Sequence, residues 1–308
     1  MFMALVFKMR QLRPLTRPFT SHIRSIHTTV HPMAPSLSRR KAIAEDTLAR
    51  TPEIVAATPG ASLDSTFIAS QLPPLEPSEC PSFPSSKISV INSDSYKAAR
   101  GIIREEGTAA NGKVAVLNLA SDEVRAGGWL YTFWTTQEEA LCYSSTLYAT
   151  LKEEYYPWPN LGPGSVAGVF SPGVVVFKDD LVHDCVDLSG DERAVVSVVT
   201  VAAPRSPELT PNGKSLAKEE DRRDFEGKIR LVYRMAARNG QHYMILAAMG
   251  CGAYACPPRQ VASMMKSILL EPEFKGWFRR VVFAVYSSAR NGPGNYGIFK
   301  EILDGVDL

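Results

Sequence analysis

Two adjacent glutamates stand where a glycine-rich loop gives way to a helix. The segment reads Ala126-Gly127-Gly128, then eight residues, then Gln137-Glu138-Glu139. Breaking a glycosidic bond to ribose builds positive charge on the sugar, and a carboxylic acid must then protonate the leaving oxygen or activate water. A pair of carboxylates beside a glycine turn therefore indicates glycosidic chemistry.

The same glutamates have an ordinary structural explanation. Thr136 followed by Glu139 fits a capping box, and Thr135 followed by Glu138 fits one residue earlier. Acidic residues in a first helical turn are also favoured by the helix dipole. Since only one glutamate can complete a capping box, the other is left unexplained by the cap.

A helix N-terminus lowers the pKa of a glutamate, so an acid catalyst there needs apolar surroundings or a bound diphosphate to counter the effect. Aromatic walls for this are available between the glycines and the helix, from Trp129, Tyr131, Phe133 and Trp134. These side chains are equally suited to an ordinary core, and we assign at least half of them to it.

Two further loops are rich in glycine or small residues. One runs from Gly250 to Tyr254 and the other from Ser287 to Asn295. Glycine lets the backbone approach a ligand closely, and successive N–H groups at a strand-to-helix turn bind phosphate oxygens. Two such loops at one sheet edge suggest a diphosphate and hence a nucleotide, although the run 292–294 alone is better explained as a tight turn.

Strands and helices alternate from Lys87 onward. Strands are predicted at 88–91, 114–119, 194–203, 242–249 and 280–286, with two short strands around Pro172-Gly173 within 166–177. Helices are predicted from the Asn92–Ser95 turn to Glu106 and at 137–154, 218–239, 258–270 and 296–303. Continuous apolar strands between helices indicate a sheet covered on both faces, with ligands at the carboxyl ends of the strands. The relevant loops follow Leu119, Ala203, Met249 and Tyr286.

The N-terminal third is organised differently. A helix over 36–50 is predicted, capped by Ser36 or Ser38, and residues 51–86 hold seven prolines and predict a surface arm. Residues 1–44 carry eight Lys or Arg, eight Ser or Thr and no acid, which is the composition of a mitochondrial transit peptide. The alternatives are a disordered basic tail, or translation from Met33 and a cytoplasmic or nuclear protein. The predicted organisation is a targeting-like segment 1–35, a helix and arm 36–86, and a main domain 87–308.

Composition limits the other classes of function. The chain of 308 residues is 45% hydrophobic and 21% charged with a net charge of +2, which gives no nucleic-acid footprint. No stretch is long enough to span a membrane, and the five cysteines contain no CxxC pair. We expect no metal, no cofactor and no membrane contact, and a monomeric protein. The charged run Lys218–Arg230 is interpreted as a solvated helix face.

Several segments resemble the signature of microbial-type poly(ADP-ribose) glycohydrolases. They are Asn118-Leu119-Ala120-Ser121, Ala126-Gly127-Gly128 and the run Gln137–Tyr148 (QEEALCYSSTLY), with support from VTVAAP at 199–204, GCGAYACPP at 250–258 and RRKAIAEDTL at 39–48. The resemblance covers 39–308 apart from the proline-rich arm. It implies a macrodomain-like three-layer α/β/α fold with a mixed central sheet and an N-terminal helical extension, which binds ADP-ribose.

The resemblance also implies roles for individual residues. Glu139 becomes the catalytic acid, and Glu138 and Asn118 contact the distal ribose. Asp94 is a candidate for the adenine amino group, and Tyr254 for the sugar side of the ligand. The remaining ligand-binding positions are Ala126, Gly127, Gly128, Gln137, Gly250, Cys251, Gly252 and Ala253, most of them wrapping the diphosphate.

The sequence departs from the family pattern at two places. Ala126 replaces the first of three glycines, and the spacer WLYTFWTT is bulkier than expected. We expect an ADP-ribosyl glycohydrolase acting on poly(ADP-ribose) or another ADP-ribosylated target. The alternatives are a binding module that reads ADP-ribose without cleaving it, and a scaffold whose proline-rich arm recruits partners.

Overall fold

The apolar strands assemble into one seven-stranded mixed sheet in the computed structural model, which describes residues 34–287, 292 and 294–308. The strands are β1 Thr66–Ile68, β2 Ser89–Ile91, β3 Val114–Leu119, β4 Gly168–Val176, β5 Ala194–Val201, β6 Tyr243–Leu246 and β7 Arg280–Ala284. Their order is β1-β4-β5-β3-β6-β7-β2. The five strands from β5 to β2 are parallel, whereas β4 runs antiparallel to β5 and β1 antiparallel to β4. The carboxyl ends of the parallel strands therefore meet at one edge.

Helices lie on both faces of this sheet. They are α1 Leu37–Ala57, α2 Ser95–Glu106, α3 Trp129–Thr132, α4 Gln137–Ser144, α5 Leu147–Thr150, α6 Glu219–Arg238, α7 Pro258–Leu269 and α8 Gly294–Leu303. None of the described helices is long and apolar enough to cross a membrane. The basic segment 1–33, with its targeting prediction, and residues 288–291 and 293 of the last glycine-rich loop lie outside the described residues.

Alternate residues of each strand face opposite layers, because successive side chains of a strand point to opposite faces. On β3, Val114 and Val116 pack with α1, α2 and α4, whereas Ala115 and Leu117 pack with α6, α7 and α8. The two apolar clusters on either side of the sheet confirm the predicted three-layer α/β/α fold.

The N-terminal helix and arm differ from the prediction. The side chain of Ser36 accepts a hydrogen bond from the Arg39 N–H, so Ser36 is the cap. The helix continues past Arg50 and through Pro52 to Ala57. Pro52 lies inside the helix without ending it, and Ile54 buries its side chain beyond it. The arm also supplies the edge strand β1, which the prediction missed.

The predicted helix 137–154 is wrong, since α4 and α5 are separate short helices. Ser145 between them has an extended backbone and bridges to Val176 of β4. Thr146 also donates its N–H to the carbonyl of Val175 at 3.1 Å and accepts the Val175 N–H on its hydroxyl at 3.0 Å. The chain leaves the helix here because its polar groups pair with the sheet instead.

The prediction of two short strands around Pro172-Gly173 is also wrong. Gly173 lies inside the single strand β4, where the register with β5 shifts between Ser171 and Val174. Its carbonyl accepts the Ser62 N–H at 2.9 Å, and a Cβ on Gly173 would lie 2.5 Å from the Ser62 nitrogen. The glycine therefore marks a bulge with close backbone packing.

One residue of the charged run on α6 contradicts the solvated-face interpretation. The Lys228 side chain is fully buried, and its ammonium donates to the carbonyl of Ala202 at 3.2 Å and lies 3.6 Å from Asp224. Burial lowers the pKa of Lys228. This lysine ties α6 to the chain just after β5, next to the edge where the predicted site lies.

Candidate functional site

The strand ends bring the two glutamates and Asn118 together. Asn118 lies on β3 opposite Thr200 of β5, and its amide nitrogen donates to the Thr200 hydroxyl at 3.3 Å. The same nitrogen donates to Oε1 of Glu138 at 3.0 Å. The first residues of α4 therefore sit directly over the carboxyl end of β3, as the loop analysis predicts.

Glu138 is a buried carboxyl group with two fixed donors. Its side chain is 2% exposed, and besides Asn118 it accepts the Ser121 N–H on Oε2 at 2.8 Å. Burial raises the pKa of Glu138 to about 8, against the lowering effect of those two hydrogen bonds, and the neighbouring charge of Glu139 adds to the rise. Near neutral pH, Glu138 is therefore largely protonated.

A protonated Glu138 needs an acceptor for its hydrogen. The carbonyl oxygen Oδ1 of Asn118 is buried and has no hydrogen-bond partner among the described residues. A half-turn of the Asn118 amide presents this oxygen to Glu138 and to the Thr200 hydroxyl. The pair thus has a matched arrangement for each protonation state of Glu138.

Glu139 is buried to the same degree but has different partners. It is 2% exposed, and burial raises its pKa. The hydroxyl of Thr136 donates to its carboxylate, and Thr136 makes no side-chain bond to the N–H groups of the first turn. The hydroxyl half of the capping box is therefore absent at Thr136, because this hydroxyl bonds to the acid instead of to an N–H group. A carboxyl group with a raised pKa is suited to donate a proton.

The glycine loop lies directly on these carboxyl groups. Ala126, Gly127 and Gly128 have φ of +51°, +61° and +78°, all in the left-handed region. A Cβ on Gly127 would collide with Oε1 of Glu139 and lie 3.2 Å from Oε2 of Glu138. Only glycine fits at position 127. The loop thus adopts the left-handed conformation even where alanine replaces glycine.

An unpredicted arginine holds this loop in place. Arg125 donates to the carbonyl of Tyr148 at 2.7 Å, and its guanidinium lies 3.9 Å from the centre of the Tyr148 ring. Tyr148 belongs to α5, so the interaction clamps the glycine loop to the helix after α4. Spacing in the sequence gave no signal for this contact.

Both the oxygen and the nitrogen of the Gln137 side-chain amide form hydrogen bonds within the protein. Its oxygen accepts the Leu119 N–H at 2.9 Å, and its nitrogen donates to the Leu117 carbonyl at 2.7 Å and to Ser95 at 3.3 Å. Gln137 therefore fastens the start of α4 to the end of β3. These bonds give Gln137 a positioning role, and its predicted contact with the ligand stays a prediction.

The loop after β6 packs against the loop after β5. A Cβ on Gly250, which has φ of +73°, would lie 2.7 Å from both Ala203 Cβ and Cys256 Sγ. A Cβ on Gly252 would have no atom within 4 Å, so the backbone from Cys251 to Ala253 is open on that side. The thiols of Cys251 and Cys256 donate to main-chain carbonyls, and all five cysteines are free.

Asp122 joins the loops around Tyr254, which sequence reasoning also missed. Its buried carboxylate accepts from the Arg205 guanidinium at 2.7 Å, the Asn160 amide at 2.9 Å and the Tyr254 hydroxyl at 3.3 Å. Four segments of the chain meet at the Asp122 side chain. Its hydrogen bond with the Tyr254 hydroxyl fixes the position of the Tyr254 ring.

Asp94 lies beside the site as the cap of α2. Its carboxylate accepts the N–H groups of Tyr96 and Lys97 at 2.8 and 3.0 Å. The next residue, Ser95, contacts Gln137, which brings Asp94 to the edge that carries the glutamates.

The aromatic spacer divides between core and surface. Trp129 is fully buried and meets Tyr143 edge-on at 5.4 Å, and Phe133 packs against the same cluster. Tyr131 and Trp134 are 82% and 59% exposed. The assignment of at least half of these rings to the core is confirmed.

Away from the glutamates, three polar side chains have donor atoms within 4.8 Å of one another, namely Asp179, Asp180 and His183. Asp179 pairs with Arg100 at 2.6 Å, and His183 Nδ1 lies 2.7 Å from Asp180. These groups satisfy one another, and we assign no metal to them.

Comparisons with known proteins identify relatives. Residues 60–179 match the family described as "Microbial-type PARG, catalytic domain". The structure is similar to poly(ADP-ribose) glycohydrolase from Thermomonospora curvata, with 26% identity, a TM-score of 0.66, and coverage of 86% of this chain and 100% of that chain. It is also similar to the enzyme from Deinococcus radiodurans in complex with ADP-ribose, with 28% identity, a TM-score of 0.58, and coverage of 73% of this chain and 86% of that chain. No curated protein matches the chain.

Proposed function

We propose that this protein hydrolyses ADP-ribosyl bonds, since its residues 60–179 match the catalytic domain of microbial-type poly(ADP-ribose) glycohydrolases. The substrate is poly(ADP-ribose) or another ADP-ribosylated target, and the product is ADP-ribose. The observation that carries the proposal is the pair Glu138 and Glu139, both 2% exposed and both with a raised pKa, beneath the Gly127 backbone.

In this mechanism Glu139 is the acid. Its raised pKa keeps a proton available, and that proton passes to the glycosidic oxygen as the bond to the ribose breaks. The resulting carboxylate then accepts a proton from the water that attacks the sugar. The Thr136 hydroxyl stabilises Glu139 in its charged form through a charge-assisted hydrogen bond.

Glu138 and Asn118 hold the distal ribose. Their mutual hydrogen bond of 3.0 Å fixes both side chains, and a neutral Glu138 both donates to and accepts from sugar hydroxyls. Gly127 and Gly128 on one side, and Gly250, Cys251, Gly252 and Ala253 on the other, offer backbone N–H groups to the diphosphate. Tyr254 packs on the sugar side, Asp94 faces the adenine, and Ala126 shapes the loop.

The decisive experiment replaces Glu139 by Gln. We expect purified protein to release ADP-ribose from poly(ADP-ribose), and Glu139→Gln to lose at least a hundredfold in kcat while it still binds ADP-ribose in calorimetry. The exposed Glu76 provides the control, since Glu76→Gln removes a carboxylate next to Leu75, which bonds to Glu273 beside the C-terminal half of α6. Equal turnover by Glu139→Gln and the wild type would refute the assignment of the acid. ADP-ribose binding without turnover on any ADP-ribosylated substrate would favour the non-hydrolytic module.

Two finer expectations are proposals of the same kind. We infer a monomer, to be checked by analytical ultracentrifugation, and mitochondrial import through the basic residues 1–35. A fluorescent fusion of the full chain should enter mitochondria, and one that starts at Met33 should not.

A further inference from the structure

The spacer between the glycines and α4 begins and ends at the catalytic carboxyl group. At its first end, Gly127 is in contact distance of Glu139, and at its other end the Thr136 hydroxyl donates to the same carboxylate. Trp134 is two residues from Thr136, so their Cα atoms are at most about 7 Å apart. Residues 129–136 therefore border Glu139, and we call this spacer the rim of the site.

This rim is unusually apolar for a surface. Of nine large hydrophobic side chains exposed among the described residues, three lie between positions 124 and 134, namely Val124, Tyr131 and Trp134. Tyr131 and Trp134 are the two most exposed of all nine, at 82% and 59%. Trp129 anchors the same segment in the core, so the spacer is held firmly while it presents two rings to solvent. Large exposed aromatic side chains close together in the chain are typical of binding sites.

The side chains of the rim are suited to bind a nucleobase and not a phosphate. Residues 126–136 contain no charged side chain, and their exposed groups are aromatic rings. A diphosphate needs N–H groups or cations, whereas the flat face of a purine stacks on Trp or Tyr. In poly(ADP-ribose) the leaving oxygen of the ribosyl bond is a hydroxyl of the next adenosine, whose adenine is attached to the neighbouring carbon of the same ribose. When Glu139 protonates that oxygen, the adenine lies within reach of the rim.

We propose that Tyr131 and Trp134 form a stacking subsite for the adenine of the leaving ADP-ribose unit. The subsite rests on the proposed glycohydrolase function, and it makes the enzyme selective for polymer over targets whose leaving group carries no base. Trp134 provides the main contact because the chain holds it closest to Glu139.

The test compares two ligands and three variants of the full chain. Trp134→Ala is expected to lower kcat/KM on poly(ADP-ribose) by roughly five- to hundredfold, through a higher KM, since base stacking contributes about 1–3 kcal/mol per base. Trp134→Phe should restore most of this loss. Leu270→Ala, which removes another exposed hydrophobic side chain on the far side of α7, should leave turnover unchanged. The affinity for ADP-ribose alone should be the same in all of them, because that ligand lacks the leaving unit.

A binding measurement separates this inference from the proposed function. In the Glu139→Gln background, a dimer of ADP-ribose should bind more tightly than ADP-ribose, and Trp134→Ala should abolish the difference. If the wild type fails to cleave polymer, the function is wrong, but this dimer measurement still decides the subsite. Equal affinity of the two ligands, or an unchanged advantage of the dimer in Trp134→Ala, overturns the subsite. An effect of Trp134→Ala on ADP-ribose itself would also overturn it, because the ring would then serve the bound unit.

Discussion

A Cβ on Gly127 would collide with Oε1 of Glu139, so the glycine backbone and the Glu139 carboxyl group are packed in direct contact. This packing explains why the loop needs glycine at position 127.

Gly127→Ala should therefore abolish activity by displacing Glu139. The Glu139 carboxyl group is 2% exposed and has no free space to retreat into, so we expect a loss of at least a hundredfold in kcat/KM. The left-handed φ of +61° adds about 1 kcal/mol of strain. Turnover of poly(ADP-ribose) and thermal unfolding measure the two effects separately.

Gly112→Ala is the matched control for strain. Gly112 lies in the turn before β3 with φ of +64°, and a Cβ there would meet nothing within 4 Å. This control variant should lose about as much stability as Gly127→Ala and keep its activity. Equal activity losses in both variants would show that strain alone, and not the contact with Glu139, accounts for the effect.

Ala126→Gly tests the one position where the chain replaces a family glycine. Ala126 has φ of +51° and is fully buried, so glycine relieves backbone strain but removes a packed methyl group. The two effects nearly cancel, and the free energy of unfolding should change by less than about 0.5 kcal/mol. In contrast, Ala42→Gly on the exposed side of α1 should lose about 1 kcal/mol. A loss at position 126 as large as at position 42, measured by chemical denaturation, would mean that the alanine is unstrained.

Sequence reasoning recovered the parts of this protein that rest on local patterns. The apolar runs predicted the parallel strands, and Asn118, Glu138 and Glu139 are indeed brought together at their ends. It failed where a local pattern competes with tertiary pairing. Ser145 and Thr146 fit a helix, but their polar groups bond to β4 and break it.

Individual long-range contacts left no recognisable pattern in the amino-acid sequence. Asp122 is one of two adjacent acids in the loop after β3, yet it bonds to Arg205, Asn160 and Tyr254. These partners are separated by tens of residues in the chain. No spacing in the sequence connects Asp122 with these partners. The central residues Asn118, Glu138 and Glu139 could therefore be predicted from the sequence, but the residues that hold the surrounding loops could not.

Glu138→Gln should raise stability in a pH-dependent way. The folded-state pKa of Glu138, about 8, lies above its ordinary value of 4.5, so the folded protein binds this proton more tightly than the unfolded chain. The free energy of unfolding of the wild type therefore falls as pH rises from about 4.5 to about 8. The free energy of unfolding of Glu138→Gln lacks this dependence on pH. Its stability relative to the wild type should therefore grow between pH 4.5 and 8, by up to about 1.4 kcal/mol per pH unit.

Urea denaturation of both proteins at pH 5, 6, 7 and 8 measures the difference. Asn118 can turn its amide to accept from the new Gln, so the substitution leaves the hydrogen bonds intact. A constant difference across the pH range would contradict a raised pKa for Glu138. Activity should also fall in the variant if Glu138 holds the ribose as proposed.

Gln137→Ala tests whether the first residue of α4 positions the acid. Removing the amide leaves the Leu119 N–H and the Leu117 carbonyl without partners, which should cost about 2 kcal/mol of stability. Because α4 then loses its attachment to β3, kcat should fall further than KM rises.

Gln137→Glu sharpens the test, since it keeps an acceptor for Leu119 but turns a carboxylate oxygen toward the Leu117 carbonyl. That variant should be unstable at pH 8 and recover at pH 5, where a protonated Glu can donate to Leu117. A lower affinity for ADP-ribose in Gln137→Ala with unchanged stability would instead make Gln137 a direct ligand contact.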